Sequence, residues 1–217
     1  MNDGISWVAA LCTVGILIIY EVALTLGQRI RPDLLARTEH ARLREEWFRS
    51  VSAEKGSELL AVQTLRNSLM SATMTASTAV LSLMGTVTLA APSLNASLAG
   101  VDSGVPSFTP RLMLELVLMT SLFASLVASV MAVRYYNHAS FICAMPVGSA
   151  VRQGWLDAGA VYVRRAGLLY SWGLRNLIMV APIVTSILHP LVGLASAGLV
   201  VLVMSGVDRI RVSARGV

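Results

Sequence analysis

Arginine followed by asparagine opens an apolar run twice in this chain, in LRNSLM at residues 65–70 and in LRNLIM at residues 174–179. A guanidinium offers a planar fork of donors suited to carboxylates and other anions. Carried into hydrocarbon it costs at least about 2.5 to 3.5 kcal/mol, so a deep arginine needs a partner or must reach back to the interface. Arg66 falls where an interface is expected, whereas Arg175 follows the apolar AGLLYSWG and is expected to lie deeper. Glu21 is its candidate partner, and Tyr135, Tyr136, Asn137 and His138 fall at a similar depth. Glu21, Arg66, Asn67, Tyr135, His138, Arg175 and Asn176 are therefore candidates for a polar vestibule that binds a small solute or anion. The same residues also fit a structural ion pair with an aromatic belt.

A second pattern is made of hydroxyls. Ser71, Thr75, Thr78, Ser82 and Thr86 recur at steps of three and four and so share one helix face. They either pack against a neighbouring helix or line a watery path. Ser121, Ser125 and Ser129 form a similar stripe, and a tight contact between the two helices would satisfy both. Catalytic patterns are missing: His40, His138 and His189 stand in three different settings, and no HExxH, GxSxG, CxxC or phosphate-loop spacing occurs. Met70 and Met74 read as packing, Cys12 and Cys143 as buried thiols, and Glu115 as an i, i+4 partner of Arg111. No enzyme activity, cofactor or metal site is expected.

The elements that must position these groups follow from composition. Of 217 residues 55% are hydrophobic and 13% charged, against roughly 25% charged in a soluble domain, which points to an all-α, polytopic membrane bundle forming one domain over residues 1–217. A span needs about 20 apolar residues. Residues 5–26, 67–91 and 112–133 meet this, and residues 5–26 are too long for a signal-peptide core. Residues 176–207 are free of charge and would make a rod of about 48 Å. Because proline disfavours helix for itself and the residue before it, His189-Pro190 is read as a break between spans 167–188 and 190–207, giving five spans. A four-span bundle with a kinked last helix is the alternative.

Basic connections stay cytoplasmic. Residues 27–66 carry Arg29, Arg31, Arg37, Arg42, Arg44, Arg49, Lys55 and Arg66, whereas PSLNASLAGVDSGVPSFTP has neither lysine nor arginine and reads as an outside loop. The N-terminus is then outside and the arginine-bearing C-terminal tail cytoplasmic, in a bacterial inner membrane. Such arginines read as orientation signals and lipid contacts, with no nucleic-acid role. Within residues 32–51, Leu43, Trp47 and Val51 repeat at helical spacing and predict a cytoplasmic amphipathic helix beginning near Pro32. SELLAVQTLR has no breaker before the second span and should continue it, and residues 148–165 predict a shorter surface helix. The two LRN segments fall at matching points of this threading, the order of a parallel internal repeat.

RTEHARLREEW, AVQTLRNSLM, TASTAVL and GLRNLIMVAP resemble the bacterial and plant membrane family named domain of unknown function 599, over residues 32–182. The resemblance implies a protein of about four spans, with no assigned activity, substrate or catalytic residue. Two functions fit the residues. One is an oligomeric channel- or transporter-like protein for a small solute or ion. The other is a non-catalytic accessory subunit that docks a larger membrane complex through Trp47 and Phe48. Membrane lipids, and further copies or partner membrane subunits, are the expected partners.

Overall fold

The computed structural model describes residues 3–30, 36–102 and 108–208, and within these ranges the chain is helical with short turns. In order, the helices are α1 (Asp3–Ile30), α2 (Ala36–Ala53), α3 (Glu58–Asp102), α4 (Pro110–Ala144), α5 (Ala150–Leu188) and α6 (Pro190–Asp208). All but α2 are long and apolar enough to cross a membrane. Helices suit that solvent because they satisfy their own backbone donors and acceptors where no water is available. The break at His189 is present: α5 stops at Leu188, α6 starts at Pro190, and Gly193 packs against the backbone of Ser186. That contact between residues seven apart requires a sharp reversal, because a straight helix would separate them by about 10 Å.

Three helices exceed the expected spans. α3 has 45 residues, about 67 Å of helix at 1.5 Å per residue, against roughly 30 Å of hydrocarbon. It continues through Pro92 to Asp102, so much of the expected outside loop is helical; a proline inside a membrane helix is tolerated when neighbours serve the freed carbonyl. Residues 103–107 lie outside the described residues. α4 continues to Ala144, and residues 150–165, expected as a separate surface helix, are the first four turns of α5. Helix continues through these glycines; Gly154 faces open space, whereas Gly159 and, just beyond, Gly167 are spent on close packing: a Cβ at Gly159 would collide with the Phe48 ring, and one at Gly167 with the Arg44 side chain.

The contacts divide into two compact units, and α3, α4 and α5 each contribute to both. Unit 1 comprises Met1–Ile30, Thr78–Ala124 and Arg175–Val207. Its core joins Ala10 and Leu17 of α1, Leu114, Leu118 and Leu122 of α4, Met179 and Ile183 of α5, and Ala197 of α6. Unit 2 comprises Arg31–Ser77, Ser125–Leu174 and Asp208–Val217. Phe48, Leu65, Tyr136, Ile142, Cys143 and Val163 fill its core with small alanines between them.

Two elbows close unit 2. Ser57 precedes α3, its carbonyl accepting from the Ala61 N–H and its hydroxyl donating to the carbonyls of Val51 and Glu54, and Ser149 caps α5 by accepting from the Arg152 N–H. Each elbow turns on a glycine of positive φ, Gly56 at 86° and Gly148 at 84°, a conformation that costs other residues strain.

The amphipathic helix is present as α2, and Trp47 and Val51 of the expected seam pack partly buried against the unit 2 core, but Leu43 does not. Ala41, Phe48 and Ser52 are buried while Leu43 is 63% exposed; the start near Pro32 lies outside the described residues. The reason is size matching. Phe48 drops into the gap left by Gly159, rotating Leu43 away from the core. Phe48→Ala should therefore cost about 3 to 5 kcal/mol, and Leu43→Ala less than about 0.5 kcal/mol, in thermal unfolding of the detergent-purified protein.

Candidate functional site

On α5 the buried positions Arg175, Met179, Ile183 and Ser186 follow one another at helical steps. Arg175 is thus built into the buried seam of an apolar helix and keeps 5% of its surface. On α1, Leu17 and Leu24 are buried, and Tyr20 and Glu21 lie three and four residues beyond Leu17, on the same side. The two helices place an ion pair inside unit 1. Arg175 Nε lies 2.9 Å from Glu21 Oε1, Nη2 donates to the Tyr20 hydroxyl at 2.6 Å, and the guanidinium carbon stands 5.2 Å from the Tyr20 ring centroid. The tyrosine thus serves the arginine through both its hydroxyl and its π face.

The pair is asymmetric. The Arg175 side chain is 6% exposed and that of Glu21 is 25% exposed, so the carboxylate is the approachable member. Tyr20, which bonds Arg175, packs against the unit 1 core that holds Leu118 and Leu122 of α4 and Met179 and Ile183 of α5. With such neighbours the charges are poorly screened, and each depends on the other for its solvation.

The remaining vestibule candidates fall elsewhere. Asn176 is half-buried beside Arg175 on α5. Arg66, Asn67, Tyr135 and His138 belong to unit 2. There Arg66, Asn67 and His138 are exposed, and Tyr135 and His138 both set their rings 5.8 Å from Tyr162. The two LRN segments also differ in register. Leu65 is buried and Arg66 exposed, whereas Leu174 is 38% exposed and Arg175 buried. The helix is rotated by one residue between them, so the repeated letters do not occupy equivalent environments.

The hydroxyl stripe does not lie on one buried face. Thr75 and Thr86 are buried, Ser82 is half-buried, and Ser71 and Thr78 are exposed. Ser71, Thr75 and Thr86 donate to the carbonyls of Asn67, Ser71 and Ser82 one turn back on α3, which leaves the alanines Ala61, Ala72, Ala76, Ala79 and Ala90 as the buried line. The second serine stripe packs toward α5: Ser125 donates to the Gly173 carbonyl at 2.7 Å, and a Cβ at Gly173 would strike Ser129. A hydroxyl in hydrocarbon is best served by the nearest bare carbonyl, and glycine supplies one on the neighbouring helix.

The surface ion pairs are of less consequence. Arg49 bonds Glu45 and, at 3.0 Å, Asp157 of α5, contacts that hold its guanidinium above the ordinary arginine range but that solvent screens. Glu115 is not at the surface: 3% exposed, it accepts from the exposed Arg111 at 2.9 Å, as expected for the i, i+4 pair. No group of three or more His, Cys, Asp or Glu able to hold a metal occurs among the described residues. Cys143 is buried, whereas Cys12, expected to be buried, is exposed on the apolar surface of α1. Sequence reading missed Arg152. Taken as an orientation charge, it is 1% exposed; the signal was its register, since Arg152, Gly159, Val163 and Ala166 follow the buried face of α5.

Five long apolar helices, a buried ion pair between two of them and a core of leucines and alanines define a polytopic helical membrane protein. The family model described as "Protein of unknown function, DUF599" matches residues 8–212, and the chain belongs to that family. No curated protein and no solved structure matches it.

Glu21→Gln and Arg175→Met should each destabilise the protein by about 3 to 5 kcal/mol, nearer the lower figure because Glu21 is partly exposed. The double variant should lose clearly less than the two together. Denaturant unfolding in micelles measures the cycle, and additive losses would deny that the two charges depend on each other.

Proposed function

We propose that this chain is a channel- or transporter-like protein for a small solute or ion, working as an oligomer in a bacterial cytoplasmic membrane. One observation carries the reading: an arginine and a glutamate are held together inside an apolar helical unit. Ionisable groups at such depth are expensive, and their commonest use is to bind or relay a charged species. Arg175 supplies the fork for an anionic or polar solute, and the more exposed Glu21 is the group that such a solute meets first.

An oligomer follows from size. Five spanning helices make a narrow bundle, so a path for solute lies more naturally between copies. Ile19, Leu81 and Leu202 are among many exposed large apolar residues, and these suit acyl chains or neighbouring subunits. For orientation, fourteen of the 17 lysines and arginines belong to unit 2 and only Arg29, Arg111 and Arg175 to unit 1. The charge rule then places the α2–α3 elbow and the C-terminal tail in the cytoplasm, with the N-terminus outside. An accessory subunit is less well supported, because Phe48, half of its docking anchor, is committed to the core of unit 2.

Liposomes containing the wild-type protein should pass at least one class of small anion, cation or metabolite. Arg175→Ala and Glu21→Ala, shown by size-exclusion chromatography to remain folded, should lower that flux about tenfold or more. Impermeable wild-type liposomes, or variants that conduct like wild type, would remove the proposal.

A further inference from the structure

Arg152 is the largest of the fully buried side chains among the described residues. It lies in the first turn of α5 and reaches back across the α4–α5 turn, where Nη1 donates to the carbonyls of Cys143 at 3.2 Å and Met145 at 2.5 Å. Those bonds fix the plane of the guanidinium. The other edge, formed by Nε and Nη2, is buried and has no hydrogen-bond partner among the described residues. Its two N–H groups run parallel, the arrangement that grips two oxygens of one oxyanion side by side.

No carboxylate among the described residues fills this fork. Glu58, at the start of α3, lies within the field of Arg152, but its hydrogen bonds go to the backbone at Gly56, Glu58 and Val147. The N-terminus of α5 adds a positive dipole end at the same turn. The covering turn is exposed at Pro146, Gly148 and Ala150.

We infer that the Nε/Nη2 edge of Arg152, beneath the α4–α5 turn of unit 2, is a binding site for one phosphate oxyanion, carried either by free phosphate or by a lipid headgroup. The site is separate from the Arg175–Glu21 pair and does not rest on the transport reading. It gives a buried guanidinium the bidentate partner that the fold withholds, and it ties the turn to the ligand.

The test uses the full chain in detergent micelles, with ³²P-labelled inorganic phosphate in equilibrium dialysis and mass spectrometry of retained phospholipid. Wild type should hold one phosphate per chain, displaced by sulfate, if the free ion is the ligand; it should instead keep one anionic phospholipid through delipidation if a headgroup is. Arg152→Lys keeps the charge without the fork and should bind about tenfold more weakly, while Arg49→Gln, at an exposed pair, should bind as wild type does. Should Arg152→Lys fail to fold, Glu58→Gln decides: with a neighbouring negative charge removed, binding should tighten about threefold or more. Wild type holding neither ligand, Arg152→Lys binding like wild type, or Glu58→Gln leaving the affinity unchanged would each overturn the site.

Discussion

An ionised side chain shut away from water must bring its own solvent, and that requirement organises both notable sites of this protein. Arg175 obtains it from Glu21 and Tyr20 of α1. Arg152 obtains half of it from the carbonyls of Cys143 and Met145. In each case the arginine is in register with the buried positions of its stretch of α5, so it cannot snorkel without turning the helix. Charge is thereby held at two fixed points by packing that is otherwise apolar.

That packing is achieved with small residues. Gly159 admits Phe48, Gly167 admits the Arg44 side chain, Gly173 lies against Ser129, and Gly193 lies against Ser186. Close approach suits helices in lipid, where dispersion and short polar contacts must replace a hydrophobic driving force. Within α5 it holds Gly159, Gly167 and Gly173 each against a neighbour.

The helical class, the five long helices and the break at His189-Pro190 were legible in the sequence because each rests on a strong local rule: run length, charge distribution, and the geometry of proline. The contact of Arg175 with Glu21 was legible for an energetic reason, since two isolated charges in apolar runs have few alternatives to each other. What escaped was rotational register. Arg66 and Arg175 share their neighbours in sequence yet differ in exposure, and Leu43 and Phe48 compete for one seam that Gly159 awards to the larger ring. Helix ends were also hidden, because the N-terminal turns of α5 and the residues after Pro92 read as surface or loop when tertiary support is unknown.

Cysteine labelling in intact cells, in a chain stripped of Cys12 and Cys143, tests the threading most directly. With Glu54 and Asp208 separated by four crossings, α3 to α6, single cysteines there should react with an impermeant maleimide only after the membrane is opened, whereas one at His189 should react from outside. Labelling of Glu54 and Asp208 from opposite sides, or of Glu54 from the exterior, would contradict five crossings with the guanidinium-rich unit facing the cytoplasm.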